Sequence, residues 1–130
     1  MAATVLFMAA CGTKEVPVPE ETSPEILASE AAQASYSALY RGRVAAFLEG
    51  RVHANQMPEG YREQLLDAYS QHVDEVKAQH QGVVDVKATR AEMDTSLGVM
   101  QVFLTLTYGD DTKELIVVAM VEDHGEWKMK

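Results

Sequence analysis

From Ser23 onward the hydrophobic pattern of the chain has a helical period, and it changes to a strand period at about residue 83. Ser23-Pro24-Glu25 places an N-cap residue before a proline and an acidic first turn, so a helix starts there. Its apolar positions form two adjoining stripes. One is Ile26/Leu27, Ala31, Ala34 and Ala38, and the other is Ala32, Tyr36 and Leu39/Tyr40. That width predicts a well-buried helix. Gly42 ends or kinks it, and "RVAAFLEG" adds one or two turns closed by Gly50. "RVHANQM" reads as a loop. Pro58 opens a second helix whose stripe runs Arg62, Leu65/Leu66, Tyr69, Val73, Val76 and His80, and Gly82 stops it.

Beyond Gly82 the residues alternate with the period of strands. "VVDVKATRAEM" is β-branched, with Val84, Val86 and Ala88 on one face and Arg90 and Glu92 continuing that face near the strand end. "LGVMQVFLTLTYGDDTKELIVVAMV" predicts two long strands around a turn at Gly109-Asp110-Asp111. With Asp110-Asp111 at the turn centre, Tyr108 faces Lys113. Met100, Val102, Leu104 and Leu106 then share an apolar face with Val121, Ala119, Val117 and Leu115. The opposite, mixed face carries Phe103, Ile116 and Val118, a candidate dimer or partner surface. A one-residue slip would bury Glu114 and expose leucine, so this register is the expected one. "EDHGEWKMK" adds a second hairpin with Gly125 at a positive-φ position, which brings Trp127 and Met129 to the apolar face. The expectation is an α+β fold with helices packed in the concave face of a curved four-stranded antiparallel sheet.

Residues 1–22 are different. An apolar run, Val5 to Ala10, precedes Cys11, and "GTKEVPVPEETSP" follows as an extended, proline-dotted tether. The run is too short to span a bilayer. "MAAC" resembles the lipobox of bacterial lipoproteins, with Met8 where leucine is usual and without a basic start. That resemblance implies cleavage before Cys11, lipidation of Cys11 and a membrane anchor. Gly12 after the cysteine implies the outer membrane, with the protein facing the periplasm. The other reading makes residues 1–10 a core element with Cys11 as a small buried hydrophobe. The expected organisation is a signal and tether over residues 1–22 and one domain over residues 23–130.

Composition narrows the partners. The chain of 130 residues carries 20 acidic and 11 basic side chains, a formal net charge of -9, which argues against nucleic acid. One cysteine allows no internal disulfide and no cysteine-based zinc site. His72 and His80 are two turns apart, too far to share a metal unaided, and no metal or cofactor is expected. No phosphate loop or nucleophile elbow is present.

The order of "ALYRGRVAAFLEG", "PEGYREQLLDAY", "TYGDDT" and the closing acidic-Gly-Glu-Trp-Lys pattern resembles the nuclear-transport-factor-2-like (cystatin-like) superfamily over roughly residues 24–130. More narrowly it is similar to small envelope lipoproteins of Gram-negative anaerobes. The resemblance implies a sheet wrapped around a long helix as a cone, with a possible site inside it and a homodimer through the open sheet face. Tyr36, Tyr40, Tyr69 and Trp127 are the candidate pocket residues, and His72 is the candidate acid/base. The plainer readings are a half-solvated His72 at the stripe's edge and core tyrosines with wet hydroxyls. The expected function is a non-enzymatic envelope module that binds a small apolar ligand or an envelope protein. The alternative is a small lyase, isomerase or hydrolase using His72 with a pocket tyrosine.

Overall fold

The computed structural model describes residues 23–130; the signal-like run, Cys11 and the tether lie outside the described residues. Helix α1 (Pro24–Tyr40), the short α2 (Val44–Glu49), a 3-10 turn (Ala54–Gln56) and the long α3 (Glu59–His80) precede four strands. These are β1 (Val83–Asp94), β2 (Val99–Tyr108), β3 (Lys113–Asp123) and β4 (Glu126–Met129), an antiparallel meander in sequence order. Among the described residues no helix is long and apolar enough to cross a membrane.

Ser23 caps α1 as expected: its hydroxyl accepts from the Ile26 amide at 3.3 Å, with Pro24 next. Of the two predicted stripes, the one holding Ala32 and Leu39 is buried, together with Ala28. Leu27 and Ala34 are exposed. The alanines let α1 lie close across the sheet, where it touches all four strands. Gln33 on its flank fastens the edge strand: its Oε1 accepts from the Ala88 amide at 2.8 Å. Leu39, Phe47, Leu48, Met100, Leu104 and Met120 fill the space between, essentially without solvent contact. Each such side chain contributes about 1.5–3 kcal/mol by burial. Among the described residues no buried side-chain polar atom lacks a partner.

The central hairpin departs from the expected register by one residue. Met100 lies opposite Met120, Val102 opposite Val118, Leu104 opposite Ile116 and Leu106 opposite Glu114. Ile116 and Val118 therefore face the helices, not the outside. Leu115 and Val117 take the outer face, at 60% and 53% exposure. The cause is the loop, which has three residues. Tyr108 N donates to Thr112 O at 2.8 Å, and Asp111 takes the left-handed conformation at φ 71. Asp110 holds the loop by accepting from the amide and hydroxyl of Thr112. Burial barely separates the two registers: Met120 inward in place of Ala119 gains apolar area, but Glu114 takes the inward place that Val121 would have held. Glu114 is tolerated inward because it sits at the open end of the sheet, where the Tyr108 hydroxyl donates to its Oε1 at 2.5 Å.

β1 carries two further corrections. Its pairing with β2 shifts at Val84 and again at Thr89. The first bulge leaves Val84 66% exposed. The second turns Arg90 and Glu92 away from the Val86 face. Arg90 lies over the Phe103 ring at 4.1 Å on the outer face and pairs with Glu92 at 3.1 Å. The last hairpin turns through His124 and Gly125, both at positive φ, and sets Met129 against Met120 and Trp127 against Glu122. Met129 also bridges to Arg51 in parallel, so the loop after α2 is sewn to β4.

Candidate functional site

Helix α3 buries little besides Val73 and Val76, and its contact with the sheet is sparse. Its C-terminal end is clamped instead to the β2–β3 loop. Gly109 N donates to Gly82 O at 2.8 Å and Asp110 N to His80 O at 3.1 Å. The His80 ring stacks on Tyr108 at 4.5 Å and its Nδ1 meets Asp110 Oδ2 at 2.9 Å. The Thr112 hydroxyl first, and His80 next, hold the Asp110 carboxyl down at about 2. Held at this end, α3 leaves an open cavity of about 450 Å³ between itself, α1 and the adjoining ends of β2 and β3.

Helical spacing puts Tyr36, Leu39 and Tyr40 of α1 on one wall and Ala68, Tyr69 and His72 of α3 on another. The strands supply Leu106, Tyr108, Glu114, Ile116 and Val117. Phe47 of α2 backs the site, with its ring 5.1 Å from Tyr36 and 4.9 Å from Tyr69, both edge-to-face. The Tyr40 hydroxyl and His72 Nε2 are hydrogen-bonded at 2.9 Å across the gap between α1 and α3. His72 itself is exposed.

Burial, followed by the neighbouring Tyr108, Tyr36, Glu114 and Tyr69, raises the Tyr40 phenol well above its ordinary range. Burial, and then Tyr69, raises Tyr36 as well. Burial first and the Glu114 hydrogen bond second push Tyr108 from 10.0 up to about 12. These phenols therefore work as neutral hydrogen-bonding groups near neutrality, not as bases. A raised folded-state value favours the protonated phenol. The stabilisation from Tyr108 is thus complete below pH 10.0 and is lost as pH rises towards about 12. Urea unfolding at stepped alkaline pH is expected to show a steeper fall for the wild type than for Tyr108→Phe. Equal slopes would refute this coupling.

Neither a protein-family model nor a curated protein matches the sequence. Among solved structures, a Campylobacter jejuni protein described as a candidate NTF2-like transpeptidase superposes with a TM-score of 0.59 at 14% identity, covering 77% of this chain and 94% of that one. The fold is NTF2-like. At that identity the likeness carries the architecture and not the activity.

Within this NTF2-like cone, four of the residues singled out from sequence, Tyr36, Tyr40, Tyr69 and His72, line one cavity. Trp127 does not; it is half-buried on β4 opposite Glu122. Sequence reasoning missed Tyr108, which alternation places on the Leu106 face, and Glu114, whose inward position depends on the three-residue loop. Aspartates at a turn beside Thr112, able to form side-chain-to-backbone bonds, were the available signal. Among the described residues no three His, Cys, Asp or Glu side chains are grouped to hold a metal. A second hollow, about 320 Å³, lies between the loop after α2 and the β3–β4 turn. Its charges largely satisfy one another, as in Lys128–Glu126 at 3.4 Å and His124–Asp123 at 3.1 Å.

Proposed function

We propose that this NTF2-like domain is a binding module that takes a small, mainly apolar molecule into the cavity between α1, α3 and the β2–β3 end. The observation that carries the reading is the make-up of that cavity. Leu39, Ala68, Leu106 and Ile116 give it apolar walls, and phenols, an imidazole and a carboxylate supply a few converging polar groups. Its volume of about 450 Å³ falls within the usual size of small-molecule sites. The test is an NMR titration with a panel of small aromatic and aliphatic molecules. Saturable shifts at Tyr36, Tyr40, Tyr69 and His72 are expected. A panel whose binding never perturbs these four residues would sink the reading.

The Tyr40–His72 bond at 2.9 Å favours one second reading. A linked phenol and imidazole at a cavity rim can pass a proton, as a small lyase, isomerase or hydrolase requires. That reading needs turnover of a bound compound that His72→Gln abolishes while binding persists.

The module is proposed to act in the cell envelope, on the periplasmic side of the outer membrane and tethered through a lipid on Cys11. Two copies are proposed to meet through the outer sheet face, where Phe103, Leu115 and Val117 lie exposed or half-exposed. Native mass spectrometry of the detergent-extracted protein, expressed from its full gene, reads both. The expected species is an acylated dimer that has lost residues 1–10. An unmodified monomer retaining them overturns both statements.

A further inference from the structure

We infer that the molecule this cavity accommodates is an organic ammonium ion, with its cationic head against Glu114 and the surrounding tyrosine rings and its apolar body against the strand wall. The inference rests on the reading of the cavity as a small-molecule site and adds the sign of the ligand's charge.

The first support is the charge of the wall. The chain has 11 lysine and arginine residues, yet none lines this cavity; Glu114 is the one Asp or Glu that does. Among the described residues Glu114 makes no ion pair. Its Oε1 accepts from the Tyr108 hydroxyl at 2.5 Å, and no other described donor reaches the carboxylate. Glu114 is exposed at the open end of the sheet, so water stabilises its charge there and a positive group can reach it. Two residues further along β3, Ile116 of the same wall is apolar, so the charge sits beside a surface suited to a hydrocarbon body.

The second support is aromatic. Four of the chain's five tyrosines line this one cavity, and they come from three elements: α1, α3 and β2. Tyrosine rings present electron-rich faces, and an aromatic enclosure with a nearby carboxylate suits an alkylated ammonium group. Near neutrality the tyrosines are uncharged, so Glu114 supplies the one full negative charge of the wall, which is the field a cation seeks. The formal net charge of -9 draws cations towards the surface by the same rule. An anionic ligand would meet Glu114 with no lysine or arginine on the wall to compensate it, and the one imidazole there, His72, is already hydrogen-bonded to Tyr40, so carboxylates and phosphates are the wrong class.

The decisive experiment compares benzyltrimethylammonium with its uncharged carbon isostere, neopentylbenzene, in the same dilute co-solvent. Binding is followed through the Tyr40, Tyr108 and His72 NMR signals. The cation is expected to bind at least about tenfold more tightly, and the advantage should shrink with added salt. Glu114→Gln, which keeps an acceptor for Tyr108 and should melt like the wild type, is expected to bring the two probes to near equality. Equal or tighter binding of neopentylbenzene to the wild type overturns the ammonium inference and leaves the small-molecule site standing. If neither probe perturbs the cavity signals, both fall.

Discussion

Phe47→Ala is expected to destabilise the domain by about 3–5 kcal/mol. Phe47 is 2% exposed and stands where α2, α1 and α3 meet. Truncating it removes a full aromatic burial and leaves a void that three helices held at fixed spacing cannot close. It also removes two edge-to-face contacts, each about 0.5–1.5 kcal/mol. Domains of this size are stable by about 5–15 kcal/mol, so the variant retains only part of its margin. Thermal unfolding followed by circular dichroism should show the midpoint falling by roughly 10–20 °C. Phe47→Leu, which restores most of the volume, should recover much of the loss. The site should suffer as well, since Tyr36 and Tyr69 lose the ring that fixes their position. A loss below about 1 kcal/mol for the alanine variant would contradict the packing described around Phe47.

Gly109→Ala produces the second large effect, for a different reason. A Cβ at Gly109 would stand 2.5 Å from the carbonyl oxygen of Gln81 and 3.1 Å from its carbonyl carbon. Both are backbone atoms in the turn that ends α3, where Gln81 already holds φ 64 and Gly82 φ 84. Neither can rotate away. Relief requires separating the β2–β3 loop from α3, which breaks the 2.8 Å bond from Gly109 to Gly82 and loosens the His80–Tyr108 stack. The expected cost is about 1–3 kcal/mol, accompanied by displaced His80 and Tyr108 NMR signals. Gly60 is the control, because an added Cβ there meets nothing within 4 Å. Gly60→Ala should melt at or slightly above the wild-type temperature. A Gly109→Ala protein with native stability and unshifted His80 signals would show that the clamp is looser than its distances imply.

Much of the architecture is legible in the chain because local chemistry sets it. Ser23-Pro24 begins a helix in any context, and His124-Gly125 between alternating segments makes a two-residue turn. The tyrosines at 36, 40 and 69 and the histidine at 72 fall on facing helix walls by spacing alone. The register of the central hairpin is not legible in this way. β3 reads Leu115, Ile116, Val117, Val118, Ala119, Met120, Val121, apolar on both faces, so hydrophobic pattern barely separates the two pairings. The decision passes to one backbone angle at Asp111 and to the bonds of Asp110. Because side chains alternate, that single choice moves Ile116 and Val118 inward and brings Glu114 to the cavity. The bulge at Thr89 acts in the same way on Arg90 and Glu92. It depends on pairing with a strand distant in sequence from α1, whose Gln33 then fastens the edge.

The position of Trp127 has a spectroscopic consequence. It is the one tryptophan of the chain, and it sits on β4, the short strand that joins the loop at Arg51 to the rest of the sheet. Its emission will report whether that strand is seated and the domain intact. The cavity lies elsewhere, walled by tyrosines whose weaker light the indole masks. A ligand can therefore fill the cavity and leave the protein's fluorescence spectrum unchanged.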